Sequence, residues 1–403
     1  MAVSQHAVAR FFRLVQQRID DIWKYISVLQ SLCTWWRSNQ FRYCKAITDG
    51  GGVYVNTQNK YLTIASNLFD HCSGGGSGAI FIDTTNSYVT MASNTFDTCV
   101  SQYGAGIGVN LGNTFITIEK SMFRYCYTKR VSSFSAEARG GGISFGNSNA
   151  NITIHSSVFY NCTSGNGGGG GIMMESNNDQ IKMQHLIFTK CRERMISGGA
   201  MYIQQSNSRI SMSNVTISQC TAAVSGGGIY FGPANSAVSM ANMSFSNCSA
   251  IDGGAMYLMQ SNAAFVLQSV KFINNVASTM GGAMYLRYNN TNVIIAGSTF
   301  QSNSAATGGA VALHDSNYQV VIIDSQGGQY AKSRRITWIG TFSSEAPLSD
   351  PVEGRNATPQ VSWGMVKGAG YTFPPGAIRV VLSFDRKEVL YSTRCRGCQH
   401  FRQ

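Results

Sequence analysis

The sequence predicts an all-β protein, a right-handed parallel β-helix of about ten coils, on two observations. The first is a pattern of three small residues followed by apolar, variable and apolar positions, which returns ten times. It reads Gly50-Gly51-Gly52-Val53-Tyr54-Val55, then Ser77-Gly78-Ala79-Ile80-Phe81-Ile82, and continues through Gly104-Ala105-Gly106-Ile107 to Ala310-Val311. Its third small residue steps by 27, 27, 36, 29, 29, 28, 27, 28 and 27. The second is Phe, two variable residues, then Cys or Asn, in the same period, from Phe41…Cys44 to Phe300…Asn303, with Ile217 taking the Phe place once.

Between the two patterns lie alternating runs such as Leu62-Thr63-Ile64, Ile152-Thr153-Ile154 and Val320-Val321-Ile322. Each unit thus holds three strands of two to four residues, separated by Asn/Ser/Gly turns. Strands this short cannot form a sheet alone. Stacking the units places each strand ~4.8 Å from its copy, and the backbone bonds run between coils. Like then piles on like: a Phe column, a Val/Ile/Met column and a small-residue column where a Cβ would collide. No unit offers an apolar face at helical spacing over ten residues, which excludes a helical solenoid. Ten coils give a rod of roughly 45–50 Å. The long step of 36 places an inserted loop over the Ser/Arg-rich stretch 127–139.

Composition agrees. Charged residues make up 12% of the chain, with 43 Gly and 6 Pro, too little charge for a disordered protein. The net charge of +12 sits on the flanks: residues 1–45 carry 7 Lys/Arg against 2 acids, 46–325 carry 13 against 12, and 326–403 carry 11 against 5. Nucleic-acid binding wants a basic stripe along the long face. The neutral middle argues against it. No amino-terminal signal peptide is legible, because charged residues from Arg10 to Lys24 break any apolar core, and no stretch approaches a membrane span.

The paired motifs Gly-Gly-Ala-[Ile/Met/Val] and Phe-x-x-Asn resemble the repeats of chlamydial polymorphic outer membrane proteins, and related repeats in large protist and algal surface proteins with pectin-lyase-like folds. The resemblance covers about residues 41–325. It implies a right-handed β-helix, extracellular or cell-surface placement, and adhesion. Cys stands where that motif has Asn in eight of ten copies.

Those eight form one column: Cys44, Cys72, Cys99, Cys126, Cys162, Cys191, Cys220 and Cys248. Stacked neighbours lie within the Cα range a disulfide spans, so the column is either a ladder of inter-coil disulfides or a file of buried thiols replacing an Asn ladder. One column cannot surround an ion tetrahedrally, so no metal is expected. No cofactor is expected either. The glycine strings Gly104-Ala105-Gly106-Ile107-Gly108 and Gly167–Gly171 lack the helix and the Gly-Lys-Ser/Thr that nucleotide loops need.

A charge column follows the motif Phe: Arg42, Asp70, Asp97, Arg124. Two stacked carboxylates about 5 Å apart match the separation in retaining glycosidases. With His71 beside them, Asp70 and Asp97 are the residues a catalytic reading would use. The flanking Arg residues keep both ionised, whereas a catalytic acid needs one pKa raised. Polysaccharide-cleaving β-helices carry clustered carboxylates, and no second cluster assembles from the 12 acids between 46 and 325. Glycosylation sequons begin at Asn151, Asn161, Asn214, Asn242, Asn247, Asn289 and Asn356. Asn161 and Asn247 precede column cysteines, which leaves Asn151, Asn214, Asn242, Asn289 and Asn356 as the glycosylation candidates.

The flanks read differently. Residues 4–38 keep a 4-3 apolar rhythm through Val8, Phe12, Val15, Ile19, Ile22, Ile26, Leu29, Cys33 and Trp36. This predicts an amphipathic helix within a 1–40 cap that covers the open end, self-associates, or lies on a membrane. Residues 326–403 form an irregular basic segment with strands expected at Ile336–Phe342 and Ile378–Phe384. There Cys395, Cys398 and His400 supply three zinc ligands without a fourth, and a disulfide or two free thiols fits better.

Three functions follow: a non-catalytic surface scaffold whose adhesion partner binds turns or a flat face, a polysaccharide lyase or glycoside hydrolase, or a carbohydrate-binding module without turnover. The expected partner is a polysaccharide or a cell-surface molecule, and oligomers remain open.

Overall fold

The computed structural model describes residues 35–129, 139–314, 316–323 and 325, together with the short strands Ile336–Ile339, Val381–Ser383 and Glu388–Val389. It is a right-handed parallel solenoid of about ten coils, without a helix among the described residues. Three sheets run its length. The glycine-led sheet stacks ten strands from Val53–Val55 to Val311–Leu313. The Phe sheet stacks ten from Gln40–Arg42 to Thr299–Gln301. The long-strand sheet runs from Trp35–Arg37 through Lys60–Ala65 to Tyr318–Ile323, then adds Ile336–Ile339 in parallel and two antiparallel strands.

The columns stack as the period requires. Phe69, Phe96 and Phe123 pair in register, and their ring centroids lie 5.1 and 4.6 Å apart with near-parallel planes. The stack resumes at Phe245, Phe272 and Phe300 beyond Ile217. The small residues line the Phe rings: a Cβ on Gly106 would sit 2.7 Å from the Phe123 ring. At the second small residue of a later coil, a Cβ on Gly199 would meet the Gly227 carbonyl at 2.1 Å, while the same position elsewhere holds the smallest side chain, Ala105.

Each coil turns its corners at residues with positive φ. Between the long strand and the Phe strand, Ser66, Ser93, Lys120, Ser156, His185, Asn214, Asn242, Ser269 and Gly297 all lie between 49 and 57°. Asn tolerates this left-handed region best among residues with a Cβ. Six of the seven sequon asparagines, from Asn151 to Asn289, share this positive φ, Asn151 within a long strand and the other five at corners.

The turns before the long strands carry a buried asparagine ladder that the sequence reading did not single out. Asn59, Asn86, Asn113, Asn149, Asn178, Asn207, Asn235, Asn262, Asn290 and Asn317 stack coil on coil. Each backbone N–H donates to the amide oxygen of the next, at 2.8–3.1 Å. This satisfies turn groups that no strand can reach.

Three expectations are corrected. Residues 4–34 of the predicted cap helix lie outside the described residues, but its end does not: Trp35–Arg37 is a strand paired with Thr63–Ala65, and the solenoid begins there rather than at 41. An unpaired sheet edge captures the segment against the helical rhythm. The long strands have six residues, not two to four. A fourth, minor sheet of two-residue strands includes Tyr127–Thr128, so the inserted loop starts after them. Strand pairing continues past 325 to Ile336–Ile339, where Ile336–Phe342 was expected, and Val381–Ser383 falls within the expected Ile378–Phe384.

Candidate functional site

The charge column forms as the phase arithmetic requires. Arg42 pairs in register with Asp70, Asp70 with Asp97, and Asp97 with Arg124. Each carboxylate has its own partner. Asp70 Oδ1 lies 2.5 Å from Nδ1 of His71, whose ring stacks on Tyr43. Asp97 Oδ2 lies 2.8 Å from Arg124, and Thr98 Oγ1 donates to Asp97 Oδ1 at 3.0 Å. The structure thus brings Asp70, Asp97 and His71 together on one face. The two carboxylates turn to separate basic partners rather than to each other, which suits an ion-pair ladder better than an acid/base pair.

The Cys column also lines up. Cys44 is partly exposed and the other seven are buried, all as free thiols. Six of the eight thiols donate to the carbonyl of a Phe-position residue one coil back, among them Cys99 to Phe69 at 3.5 Å, Cys126 to Phe96 at 3.5 Å and Cys248 to Ile217 at 3.7 Å, whereas Cys44 and Cys220 donate to Arg42 and Ser218 in their own coils. Asn275 and Asn303 make the same bond to Phe245 and Phe272, at 3.1 and 2.9 Å. Cys therefore does the donor task of Asn. Burial pushes the Cys162 and Cys220 thiols up, which keeps them neutral and unreactive. Among the described residues no group of three or more His, Cys, Asp or Glu forms a metal site. Cys395, Cys398, His400 and Asn356 lie outside the described residues.

The other sequons lie on corners, except Asn151, which lies within the long strand Ala150–His155. Asn161, Asn214, Asn242, Asn247 and Asn289 are exposed and Asn151 half-buried, so standing before a column cysteine does not bury Asn161 or Asn247.

Two aromatic files stand on outward positions that the repeat treats as variable. One crosses the glycine-led sheet: Tyr202, Tyr230, Tyr257 and Tyr285 pair in register. Tyr230, Tyr257 and Tyr285 are only 4–8% exposed and pack with Ala312, Met259 and Met280. Tyr230 Oη donates to Met259 Sδ at 3.0 Å. This is a small second core under the turns.

The second file is open to solvent. Tyr61, Tyr88 and Phe115 occupy the second position of successive long strands, at φ 58, 56 and 54°. Their centroids lie 4.9 and 4.6 Å apart, with planes 16 and 1° from parallel, and they remain 63, 43 and 45% exposed. Beside them runs a threonine file, Thr63, Thr90, Thr117 and Thr153, followed by Lys182. The two files border an open depression of about 500 Å³. Two acids on this face have local partners: Glu119 lies 2.8 Å from His155 Nε2, and Asp179 is held by Arg209, whose guanidinium keeps that carboxyl at about 2. Chemically, the face offers apolar ring surface, a row of hydroxyls and a cation on a rigid ladder. The aromatic residues recur at one phase in three coils, a signal present in the sequence and hidden by the motif's variable position.

A family model described as a right handed beta helix region matches residues 141–326. Among solved structures, the chain is similar to PfbA, a surface adhesin of Streptococcus pneumoniae, at 12% identity and a TM-score of 0.42, covering 76% of this chain and 83% of that one. It is also similar to a mannuronic acid specific polysaccharide family 6 lyase from human gut microbiota, at 10% identity and a TM-score of 0.38, covering 74% and 73%. No curated protein matches in sequence. The matched stretch coincides with coils of the solenoid, which among the described residues is a right-handed parallel β-helix.

Proposed function

We propose that the chain is a non-catalytic scaffold, extracellular or at the cell surface, that holds a carbohydrate or a surface partner on the outer face of its long-strand sheet. The observation that carries this reading is the exposed stack Tyr61–Tyr88–Phe115 beside the threonine file. A monomer that gains nothing from exposed aromatic rings would replace them with polar residues, as later coils do with Asn151, Gln180 and Arg209. The rings sit on ladder-bonded strands, so the surface is preorganised and binding orders little. Exposed sequon asparagines such as Asn214 and Asn242 suit an extracellular home.

The second reading, a polysaccharide lyase or glycoside hydrolase, has the registered pair Asp70 and Asp97 in its favour. One experiment addresses both. The full chain is tested for binding and for turnover on acidic and neutral polysaccharides and on cells, with Phe115→Asn and Asp97→Asn alongside. Binding weakened about tenfold or more by Phe115→Asn, with no product released, is expected. Product release lost in Asp97→Asn would replace the scaffold reading with the enzymatic one.

A further inference from the structure

We infer that the ligand of this face is an anionic saccharide, seated in the depression between Phe115 and Lys182; the inference rests on the binding face proposed above. The ring stack ends at Phe115, because the next residue in the file is Asn151. One side of the Phe115 ring therefore has no aromatic neighbour, and it borders the depression. The opposite boundary is Lys182, which follows Thr153 in register and is exposed. No carboxylate among the described residues pairs with Lys182, whereas Asp179 and Glu119 each have a basic partner of their own, Arg209 and His155. Thr117, Thr153 and the Asn151 amide lie between.

That set of groups selects a chemistry. An apolar ring surface suits the C–H face of a pyranose, hydroxyls and an amide suit its hydroxyls, and an unpaired ammonium suits a carboxylate or a sulfate. A neutral sugar would leave the ammonium without a counter-charge. An apolar peptide would leave the hydroxyl row unmatched. A purely ionic ligand would leave the ring unused. Lys rather than Arg at this point gives a point charge without a planar fork, so both kinds of acidic group fit.

The test titrates the full chain with three soluble probes by calorimetry: a galacturonate hexamer, a heparin-derived sulfated hexasaccharide, and a neutral glucan hexamer. At least one acidic probe is expected to bind, the neutral one not to, and the affinity is expected to fall as salt rises. Lys182→Ala should weaken binding about tenfold or more, as the loss of one charged hydrogen bond does. Phe115→Asn, which keeps a residue suited to positive φ, should weaken it comparably. Lys271→Ala, on the Phe sheet, should change nothing. Equal binding of the neutral hexamer, unaffected by Lys182→Ala but weakened by Phe115→Asn, would overturn the anionic ligand and leave the binding face standing. Binding indifferent to Phe115→Asn and Lys182→Ala alike would overturn both. Failure of both acidic probes to bind at millimolar concentration would overturn the anionic ligand alone if cells still bound through Phe115.

Discussion

Glu193 provides a quantitative test of how the solenoid interior treats charge. It closes a two-residue strand, Arg192–Glu193, is 1% exposed, and accepts the backbone N–H of Met195 at 2.8 Å and that of Ile196. Its Oε1 has no partner. Burial outweighs the backbone donors around it and raises its pKa from 4.5 to about 7. The folded state thus holds this proton more tightly than the unfolded chain does. The stability it confers is complete below pH 4.5 and is lost as pH rises to about 7. At 1.36 kcal/mol per pH unit, the carboxylate form costs roughly 3 kcal/mol by pH 8. Glu193→Gln keeps the acceptor and removes the titration. Urea unfolding of wild type and variant between pH 4 and 8.5 measures the difference, with the slope m checked for constancy. The variant should gain on wild type by about 3 kcal/mol between the two ends of that range. Parallel pH curves would refute the reasoning, because they would mean that Glu193 meets the same surroundings folded and unfolded.

Other outcomes follow from the columns. Phe96→Ala removes a ring held between Phe69 and Phe123 and should destabilise the fold by ~3–5 kcal/mol in chemical unfolding. Asn207→Leu orphans the Asn178 N–H it accepts at 2.9 Å and should cost about 1–3 kcal/mol, measurable as faster amide exchange in the adjoining turns. The seven buried column thiols should resist maleimide in native protein and react after denaturation without reductant. A denatured count of three or fewer thiols among the 11 cysteines would mean that the column is oxidised.

The columns were legible because a 27-residue phase places Phe on Phe and Cys on Cys without reference to any coordinate. What escaped the sequence did so for local reasons. The long strands read as three-residue runs because Tyr61 and its equivalents adopt positive φ, which breaks the two-residue alternation at the strand start. The asparagine ladder was hidden in turns where Asn is common anyway, and only its constant phase separates rung from filler. Strands as short as Tyr127–Thr128 leave no periodicity to detect. At Trp35–Arg37 the helical 4-3 rhythm continued past the point where edge pairing takes over. For the site, Asp70, Asp97 and His71 came together as the arithmetic required, but the exposed rings of Tyr61, Tyr88 and Phe115 sat at positions the motif discards.

The uninterrupted asparagine file also bears on how such a molecule changes size. Each rung ties only to the rungs on either side, so the cohesion of the rod is a sum of nearest-neighbour terms. Excising residues 236–262 would join Asn235 to Ala263, the residue that follows the next rung, and leave every surviving file in phase. Duplicating that stretch would lengthen the rod just as smoothly. Reach is therefore a quantity that unequal recombination can tune, while the faces that meet other molecules keep their chemistry.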